Sequence, residues 1–257
     1  MARFEKNGIQ TNYEVLGGLS SSPLVLSNSL GTDHTMWDLQ VPKLNQFRLI
    51  RYDTLGHGLS DVPEGPYTIE QLGNQVIDLL DHLEIDRVNF CGLSMGGVIG
   101  QWLAINHSNR IDKLILANTA PKIGASVAWL DRAKLVRSVG MDPVADSASA
   151  RWFTHQFFES QKGQCSYLVE RLRATNAEGY AACCEALAGA DFLQNIHKIQ
   201  AETLIIAGTE DPVTTISDAL FMVKMIPNSS LVQINASHIS NVEKPEQFSD
   251  ALTHFLG

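Results

Sequence analysis

Residues 92–97 have the sequence Gly92-Leu93-Ser94-Met95-Gly96-Gly97, and this stretch decides the fold. An apolar run at 88–91 precedes it, and a helical stretch through 100–106 follows it. Because glycine has no Cβ, the chain can turn here more tightly than other residues allow. The pattern predicts a strand, a tight turn and a helix, with the Ser94 Oγ lifted clear of the sheet toward the helix N-terminus. An ordinary glycine-rich turn is the alternative, and the flanking strand and helix count against it.

Short β-rich or apolar runs elsewhere in the chain predict further strands, several of them fully buried. They lie at 10–15, 24–26, 47–50, 114–116, 203–206 and 231–234. Between 68 and 83 the apolar residues recur at helical spacing, and Thr68 with Gln71 forms a capping-box pattern at the start. Strands that alternate with helices indicate an α/β fold with a parallel sheet.

The segment 121–198 interrupts this alternation. It is rich in Ala and Arg and predicts helices, whereas strand patterns resume at 203. A last helix is predicted at Pro245–Leu256, where the proline suits the first turn. We therefore predict an α/β core formed by residues 1–120 and 199–257, and a helical cap formed by residues 121–198.

The composition excludes several classes of function. The chain has 257 residues and a formal net charge of −9, so neither nucleic acid nor a membrane is an expected partner. The N-terminus lacks the apolar run of a signal peptide, and we expect a cytoplasmic protein. The four cysteines show neither a disulfide framework nor zinc-ligand spacing. The chemistry that Ser94 predicts requires no metal and no organic cofactor. The oligomeric state is not predicted.

A serine hydroxyl is a poor nucleophile unless a base takes its proton, so a histidine and a carboxylate should follow Ser94 in the chain. Two adjacent carboxylates, Glu210 and Asp211, follow the predicted strand at 203–206 and are both candidates for the acid. His238 follows the strand at 231–234 and precedes the last helix, which is where the base belongs.

The other histidines are weaker candidates for the base. His57 also follows a strand, but it precedes the serine and breaks the expected chain order. His34 is predicted to border the mouth of the pocket. The remaining five lie on or beside helical stretches, where surface or packing roles are expected: His82, His107, His155, His197 and His254.

Attack by a serine on a carbonyl creates an oxyanion, which two backbone N–H groups should stabilise. Met95, immediately after the serine, is the first candidate. The second is Leu30, in the loop after the strand at 24–26, because Gly31 lets the backbone bend close to a substrate. A plain turn is the alternative for this loop.

Together, the glycine-flanked Ser94, the acid-bearing loop and His238 resemble the α/β-hydrolase superfamily over the whole chain. The resemblance implies the α/β-hydrolase fold: a mostly parallel, eight-stranded sheet flanked by helices, with an inserted helical cap. It also aligns the pair Asp211-Pro212 with the position of the acid, which favours Asp211 over Glu210.

A narrower resemblance is to the bacterial 3-oxoadipate enol-lactonases. It rests on cap segments around 129–141, 151–154 and 179–184 and on three core segments: Leu26-Ser27-Asn28-Ser29-Leu30-Gly31-Thr32, Met36-Trp37-Asp38 and Asp53-Thr54-Leu55-Gly56-His57-Gly58-Leu59-Ser60. It implies a carboxylic ester hydrolase of the β-ketoadipate pathway of aromatic degradation, in which Ser94 opens 3-oxoadipate enol-lactone through an acyl-enzyme.

This substrate is a small anionic lactone, and an acidic protein needs a local cation to bind it. Arg132, one helical turn from Trp129, is the first candidate for its carboxylate, and Arg151 is the second. Trp129 and Trp152 are predicted to line the pocket. A surface arginine that covers apolar cap residues is the alternative for each cation.

Other functions remain open on the same residues. A general carboxylesterase or a hydrolase of carbon–carbon bonds could use the same three catalytic residues. A ligand receptor that retains them without turnover is the alternative outside enzymes.

Overall fold

The computed structural model describes all 257 residues and contains one eight-stranded sheet. Its strands are β1 (Ala2–Lys6), β2 (Ile9–Leu16), β3 (Pro23–Ser27), β4 (Arg48–Tyr52), β5 (Val88–Leu93), β6 (Ile111–Ala117), β7 (Glu202–Gly208) and β8 (Ser229–Ile234). Their order is β1-β2-β4-β3-β5-β6-β7-β8. β2 is antiparallel to β1 and β4, and every other pair is parallel. The expected mostly parallel, eight-stranded sheet is confirmed.

Eleven helices complete the fold. They are α1 (Ile69–His82), α2 (Met95–Asn106), α3 (Ser126–Val139), α4 (Asp142–Asp146), α5 (Ser149–Trp152), α6 (His155–Ser160), α7 (Lys162–Arg173), α8 (Ala177–Gly189), α9 (Ile216–Met225), α10 (Ser240–Glu243) and α11 (Pro245–Leu256). Six of them, α3 to α8, lie between β6 and β7, and this interval contains no strand. No helix is both long and apolar enough to cross the hydrocarbon region of a bilayer.

Helix α1 follows the predicted apolar pattern closely. Its buried face includes Leu72, Val76 and Leu79, and the Thr68 side chain accepts a hydrogen bond from the Gln71 backbone N–H at 3.1 Å. No return hydrogen bond from the Gln71 side chain forms, so only half of the predicted capping box is present. The complete capping box starts α9 instead, where Thr215 and Asp218 exchange both bonds.

Strand β1 was not predicted, because its sequence carries a weak signal. Only Phe4 of its five residues is buried, and the strand pairs on one side alone. An edge strand with a single buried side chain shows little hydrophobic alternation in its sequence. Backbone pairing with β2 forms it instead, in register from Ala2 opposite Tyr13 to Lys6 opposite Ile9.

Two of the contacts between the core and the helices that lie between β6 and β7 are made by core loops. Gly179 of α8 packs its backbone against Gly56, so close that a Cβ on either residue would overlap the other. Arg171 of α7 forms an ion pair with Asp33. One continuous cluster of buried apolar side chains runs from the sheet into these helices.

Candidate active site

Ser94 lies at the corner between β5 and α2, with φ 56° and ψ −114°. A positive φ is costly for a residue with a Cβ and persists only where the surroundings enforce it. Two backbone hydrogen bonds hold the turn: Ser94 N–H to the Ala117 carbonyl at 2.9 Å, and Gly96 N–H to the Asn28 carbonyl at 3.0 Å. The predicted strand–turn–helix corner is therefore present.

The glycines around Ser94 are required by close packing. A Cβ on Gly92 would overlap the Gly96 backbone, and a Cβ on Gly96 would overlap the Ser27 carbonyl. At Gly97 it would lie 2.6 Å from the Thr119 side chain. The crowding keeps α2 close against the ends of β3, β5 and β6.

Ser94, His238 and Asp211 form one hydrogen-bonded chain. His238 Nε2 lies 2.9 Å from Ser94 Oγ, and His238 Nδ1 lies 2.8 Å from Asp211 Oδ2. The carboxylate accepts only, so Nδ1 donates to it and Nε2 is free to accept the serine proton. All three residues are buried, whereas Glu210 is exposed and forms no hydrogen bond with His238, which pairs with Asp211 instead.

Four donors besides His238 hold the Asp211 carboxylate. Its Oδ1 accepts the backbone N–H groups of Val213 at 2.7 Å and Thr214 at 3.1 Å. Its Oδ2 accepts the Thr214 hydroxyl at 2.7 Å and the Asn118 amide at 3.0 Å. Burial acts to raise the pKa of Asp211, but the charge and hydrogen bond of His238, with Asn118 and Thr214, outweigh it and leave the pKa below its usual range. Asp211 is therefore ionised at neutral pH.

Asn118 and Thr119 are site residues that the sequence did not reveal. Asn118 adopts φ 42° at the end of β6 and donates to both Asp211 and the Ser237 carbonyl. The Thr119 hydroxyl donates to the Ser94 carbonyl at 2.8 Å. The available signal was their position after the strand at 114–116, because the carboxyl ends of parallel strands meet at one edge of the sheet.

The two predicted oxyanion donors are both free to act. Neither the Leu30 nor the Met95 backbone N–H donates to an acceptor within the protein. Met95 begins α2, where the helix dipole favours negative charge. Gly31 adopts φ +80°, which a residue with a Cβ rarely does.

The expectation for His34 was wrong. It lies outside the cavity that contains Ser94, and its Nδ1 is bonded to Asp53 Oδ1 at 2.8 Å. His34, Asp53 and Asp33 bring three ligand-type atoms within 4.8 Å of one another. Those carboxylates already bind other groups, including the Arg171 guanidinium on Asp33 and the Leu59 N–H on Asp53, so the cluster is a hydrogen-bond network.

A cavity of about 250 Å³ opens onto Ser94 and His238. Leu30 lines it from the core, and so do all four predicted cap residues: Trp129, Arg132, Arg151 and Trp152. Ile123, Leu172, Tyr180 and Val213 add apolar surface that the sequence did not single out.

The two arginines at the cavity differ from the others of the same helical segment. Arg137, Arg171 and Arg173 all form ion pairs with carboxylates. Arg132 forms none and lies over the Trp129 ring, with 4.7 Å between guanidinium carbon and ring centroid.

Arg151 also lacks a carboxylate partner and donates to the Ser147 and Val144 carbonyls. Burial and the nearby charge of Arg132 lower the pKa of Arg151. The cavity therefore carries positive charge that no protein carboxylate neutralises.

Comparison with known proteins agrees with this geometry. A family model of the alpha/beta hydrolase fold matches residues 22–245. The chain belongs to the α/β-hydrolase fold family. It is similar to 3-oxoadipate enol-lactonases 2 and 1 of Acinetobacter baylyi: 48% identical over 95% of this chain and 92% of the first, and 41% identical over 98% of this chain and 94% of the second. A crystal structure of the enol-lactonase from Burkholderia xenovorans LB400 superposes with a TM-score of 0.97, at 41% identity and 99% coverage of both chains.

Proposed function

We propose that this chain is a serine hydrolase that opens 3-oxoadipate enol-lactone to 3-oxoadipate. The observation that carries the proposal is one cavity lined both by Ser94 and His238, which are hydrogen-bonded in a chain that continues to Asp211, and by two arginines without carboxylate partners. The first feature suits attack on an ester carbonyl, and the second suits a substrate with a carboxylate. The enol-lactonases to which the chain is similar bear the name of this reaction.

The first half of the proposed reaction forms an acyl-enzyme. His238 Nε2 takes the Ser94 proton as Oγ attacks the lactone carbonyl, and the imidazolium is stabilised by Asp211. The Leu30 and Met95 N–H groups donate to the resulting oxyanion. The bond from the carbonyl carbon to the ring oxygen then breaks as the His238 imidazolium gives its proton to the ring oxygen, which leaves as an enol that tautomerises to the ketone.

The second half releases the product. A water molecule loses its proton to His238 and attacks the acyl carbon, and the same two N–H groups again stabilise the oxyanion. Collapse of this intermediate returns the proton to Ser94 and frees the second carboxylate of 3-oxoadipate. The new carboxylic acid gives its proton to the solvent. His238 accepts and returns one proton in each half of the reaction, so the catalytic cycle closes without any other titrating group of the protein.

The cap supplies recognition in this proposal. Residues 1–120 and 199–257 form the catalytic core, and residues 121–198 form the cap that carries Arg132, Arg151, Trp129 and Trp152. The carboxymethyl group of the lactone binds Arg132, whose guanidinium Trp129 holds from one face. Arg151 adds positive charge to the same wall, and Trp152 provides an apolar one.

Steady-state hydrolysis tests the substrate. We expect the wild type to prefer 3-oxoadipate enol-lactone to p-nitrophenyl acetate, and Arg132→Ala to raise KM for the lactone about tenfold or more while the ester is affected little. Arg173→Ala is the matched control, because Arg173 is a cap arginine that pairs with Asp142 and Asp146 and does not line the cavity. Preference for the ester in the wild type would reject the lactonase proposal.

A second variant separates substrate from mechanism. Ser94→Ala should abolish turnover of both substrates while the folded state persists, because Ser94 Oγ is the proposed nucleophile. Substantial activity in a folded Ser94→Ala protein would reject the serine mechanism itself, whichever substrate is preferred.

A further inference from the structure

His57 is a buried histidine that the proposed reaction does not use. Its Nε2 accepts a hydrogen bond from the Gly31 backbone N–H at 2.9 Å, and its Nδ1 lies 3.3 Å from the Leu55 carbonyl. Gly31 follows Leu30, whose N–H is one of the two proposed oxyanion donors. The imidazole therefore contacts the backbone that presents this donor, although it does not line the cavity.

The two contacts fix the protonation state of the ring. A backbone N–H can only donate, so Nε2 must carry a lone pair, and Nδ1 carries the hydrogen that faces the Leu55 carbonyl. Burial lowers the pKa of His57 and outweighs the hydrogen bond to Leu55 and the charges of Asp53 and Asp33, which act to raise it. On the cap side the ring faces Cys183 Sγ, 3.9 Å from Nδ1, and the Tyr180 ring at 6.4 Å between centroids. None of these neighbours is a cation.

The Gly31 peptide needs such an anchor. At φ +80° and without a Cβ, Gly31 is the least restricted residue of the loop. Other bonds hold its neighbours: the Thr32 hydroxyl and N–H both reach the Ser29 carbonyl, and the Asn28 side chain reaches the Tyr52 carbonyl. The bond to His57 is the one that holds the peptide between Leu30 and Gly31.

We propose that His57 is a positioning residue for the oxyanion hole. By holding the Gly31 N–H, it fixes the Leu30–Gly31 peptide, which adjoins the Ser29–Leu30 peptide that carries the donor. Thr32 holds the carbonyl of that second peptide, so the backbone is fixed on both sides of Leu30 and its N–H stays directed at the oxyanion formed on Ser94. The inference rests on the proposed serine mechanism but not on the identity of the lactone. Donors that are held in place before reaction stabilise an oxyanion far better than donors that must reorient.

Two variants test the hydrogen bond. His57→Leu removes the acceptor while keeping apolar volume, and His57→Gln restores an acceptor oxygen near the position of Nε2. With p-nitrophenyl acetate, we expect His57→Leu to lower kcat about 10- to 100-fold with little change in KM, and His57→Gln to recover most of the loss. Cys183→Ala is the matched control, because it removes a contact on the opposite side of the same ring and leaves the Gly31 bond intact.

A boronic acid distinguishes positioning from simple destabilisation. An alkyl boronic acid forms a tetrahedral adduct with the catalytic serine and so uses the oxyanion hole. Its affinity should fall in His57→Leu in proportion to kcat/KM and return in His57→Gln. If a folded His57→Leu protein keeps wild-type kcat and boronate affinity, the inference about His57 is wrong. The serine mechanism is tested separately, because an inactive Ser94→Ala protein would support it even in that case.

The wild type offers a test that does not depend on a folded variant. In ¹⁵N NMR of the imidazole nitrogens, His57 Nε2 should show the shift of an unprotonated nitrogen at neutral pH, with a coupling across the hydrogen bond to the Gly31 amide. A protonated Nε2, or a neutral ring with its hydrogen on Nε2, would overturn the inference.

Discussion

Glu210 and Asp211 are adjacent carboxylates just beyond β7, but only Asp211 reaches His238. The backbone turn after β7 directs the Asp211 side chain inward, where Val213 and Thr214 donate to Oδ1. Glu210 stays exposed. Two neighbouring carboxylates therefore have different surroundings, and the local sequence alone did not decide which of them pairs with His238.

Replacement of Asp211 by Asn should disable the proposed base. Asn keeps the shape but loses the charge, and its amide favours the wrong tautomer of His238, so we expect kcat to fall by roughly 10³- to 10⁴-fold. Glu210→Gln should retain wild-type kcat and serves as the control. Equal losses of kcat in the two variants would contradict the assignment of Asp211 as the acid.

Two buried histidines should affect stability with opposite dependence on pH. Burial lowers the pKa of His57 from 6.5, so the unfolded chain gains a proton that the folded one lacks as pH falls below 6.5, and stability is lost in that direction. For His34, burial acts to lower the pKa, but the hydrogen bond and charge of Asp53 outweigh it and raise the pKa above 6.5. Its contribution is present below pH 6.5 and is lost as pH rises through the folded pKa.

Melting temperatures of wild type, His57→Gln and His34→Gln between about pH 5 and about pH 8 measure both effects. As pH falls toward about 5, the melting temperature of the wild type should decrease relative to that of His57→Gln. The melting temperature of the wild type should exceed that of His34→Gln by the largest margin at this acidic end. Parallel curves for all three proteins would show that neither histidine couples its protonation to folding.

At the scale of elements, the corner between β5 and α2 depends on glycines that admit no side chain. Gly96→Ala places a Cβ against the Ser27 carbonyl, which is backbone and cannot move aside cheaply. We expect a loss of about 2–4 kcal/mol in the free energy of unfolding, measured by urea denaturation, together with a loss of activity.

Gly163 provides a matched control for that variant. Gly96 is the second residue of α2 and Gly163 is the second residue of α7, but nothing lies within 4 Å of a Cβ built on Gly163. Gly163→Ala should be neutral or stabilise the protein by about 0.5–1 kcal/mol. If Gly96→Ala is equally well tolerated, crowding does not explain the glycine.

For the whole molecule, the proposed core and cap should unfold together. The cluster of buried apolar side chains crosses between them, and the Gly56–Gly179 contact and the Arg171–Asp33 ion pair join the same two parts. A shared core of this kind favours a single cooperative transition.

Tryptophan fluorescence can follow the unfolding of the proposed core and of the proposed cap separately. Trp37 and Trp102 lie in the core and Trp129 and Trp152 in the cap, so double Trp→Phe variants leave fluorescence from one part only. In each variant, the fluorescence and far-UV circular dichroism midpoints in urea should coincide. A cap signal that unfolds at lower urea than the core would show two units that are energetically independent.

The sequence by itself determined the elements and the chemistry that are encoded locally. Apolar spacing predicted α1, the proline at its first turn marked α11, β-rich and buried runs predicted seven strands, and the glycines around Ser94 marked the corner that exposes it. These signals are local because helix periodicity, strand burial and tight turns each depend on residues close together in the chain. Strand β1 was not predicted, because its formation depends on pairing with β2 rather than on its own sequence pattern.

Only the tertiary structure decided how distant residues meet. It brought Asn118 to Asp211 across 93 positions and the His57 imidazole to Gly31 across 26. It also separated Arg132 and Arg151, which lack carboxylate partners, from three cap arginines that have them. Partner choice for a charged or polar side chain depends on what the fold places within about 3 Å of it, and a pattern of neighbours along the chain does not contain that information.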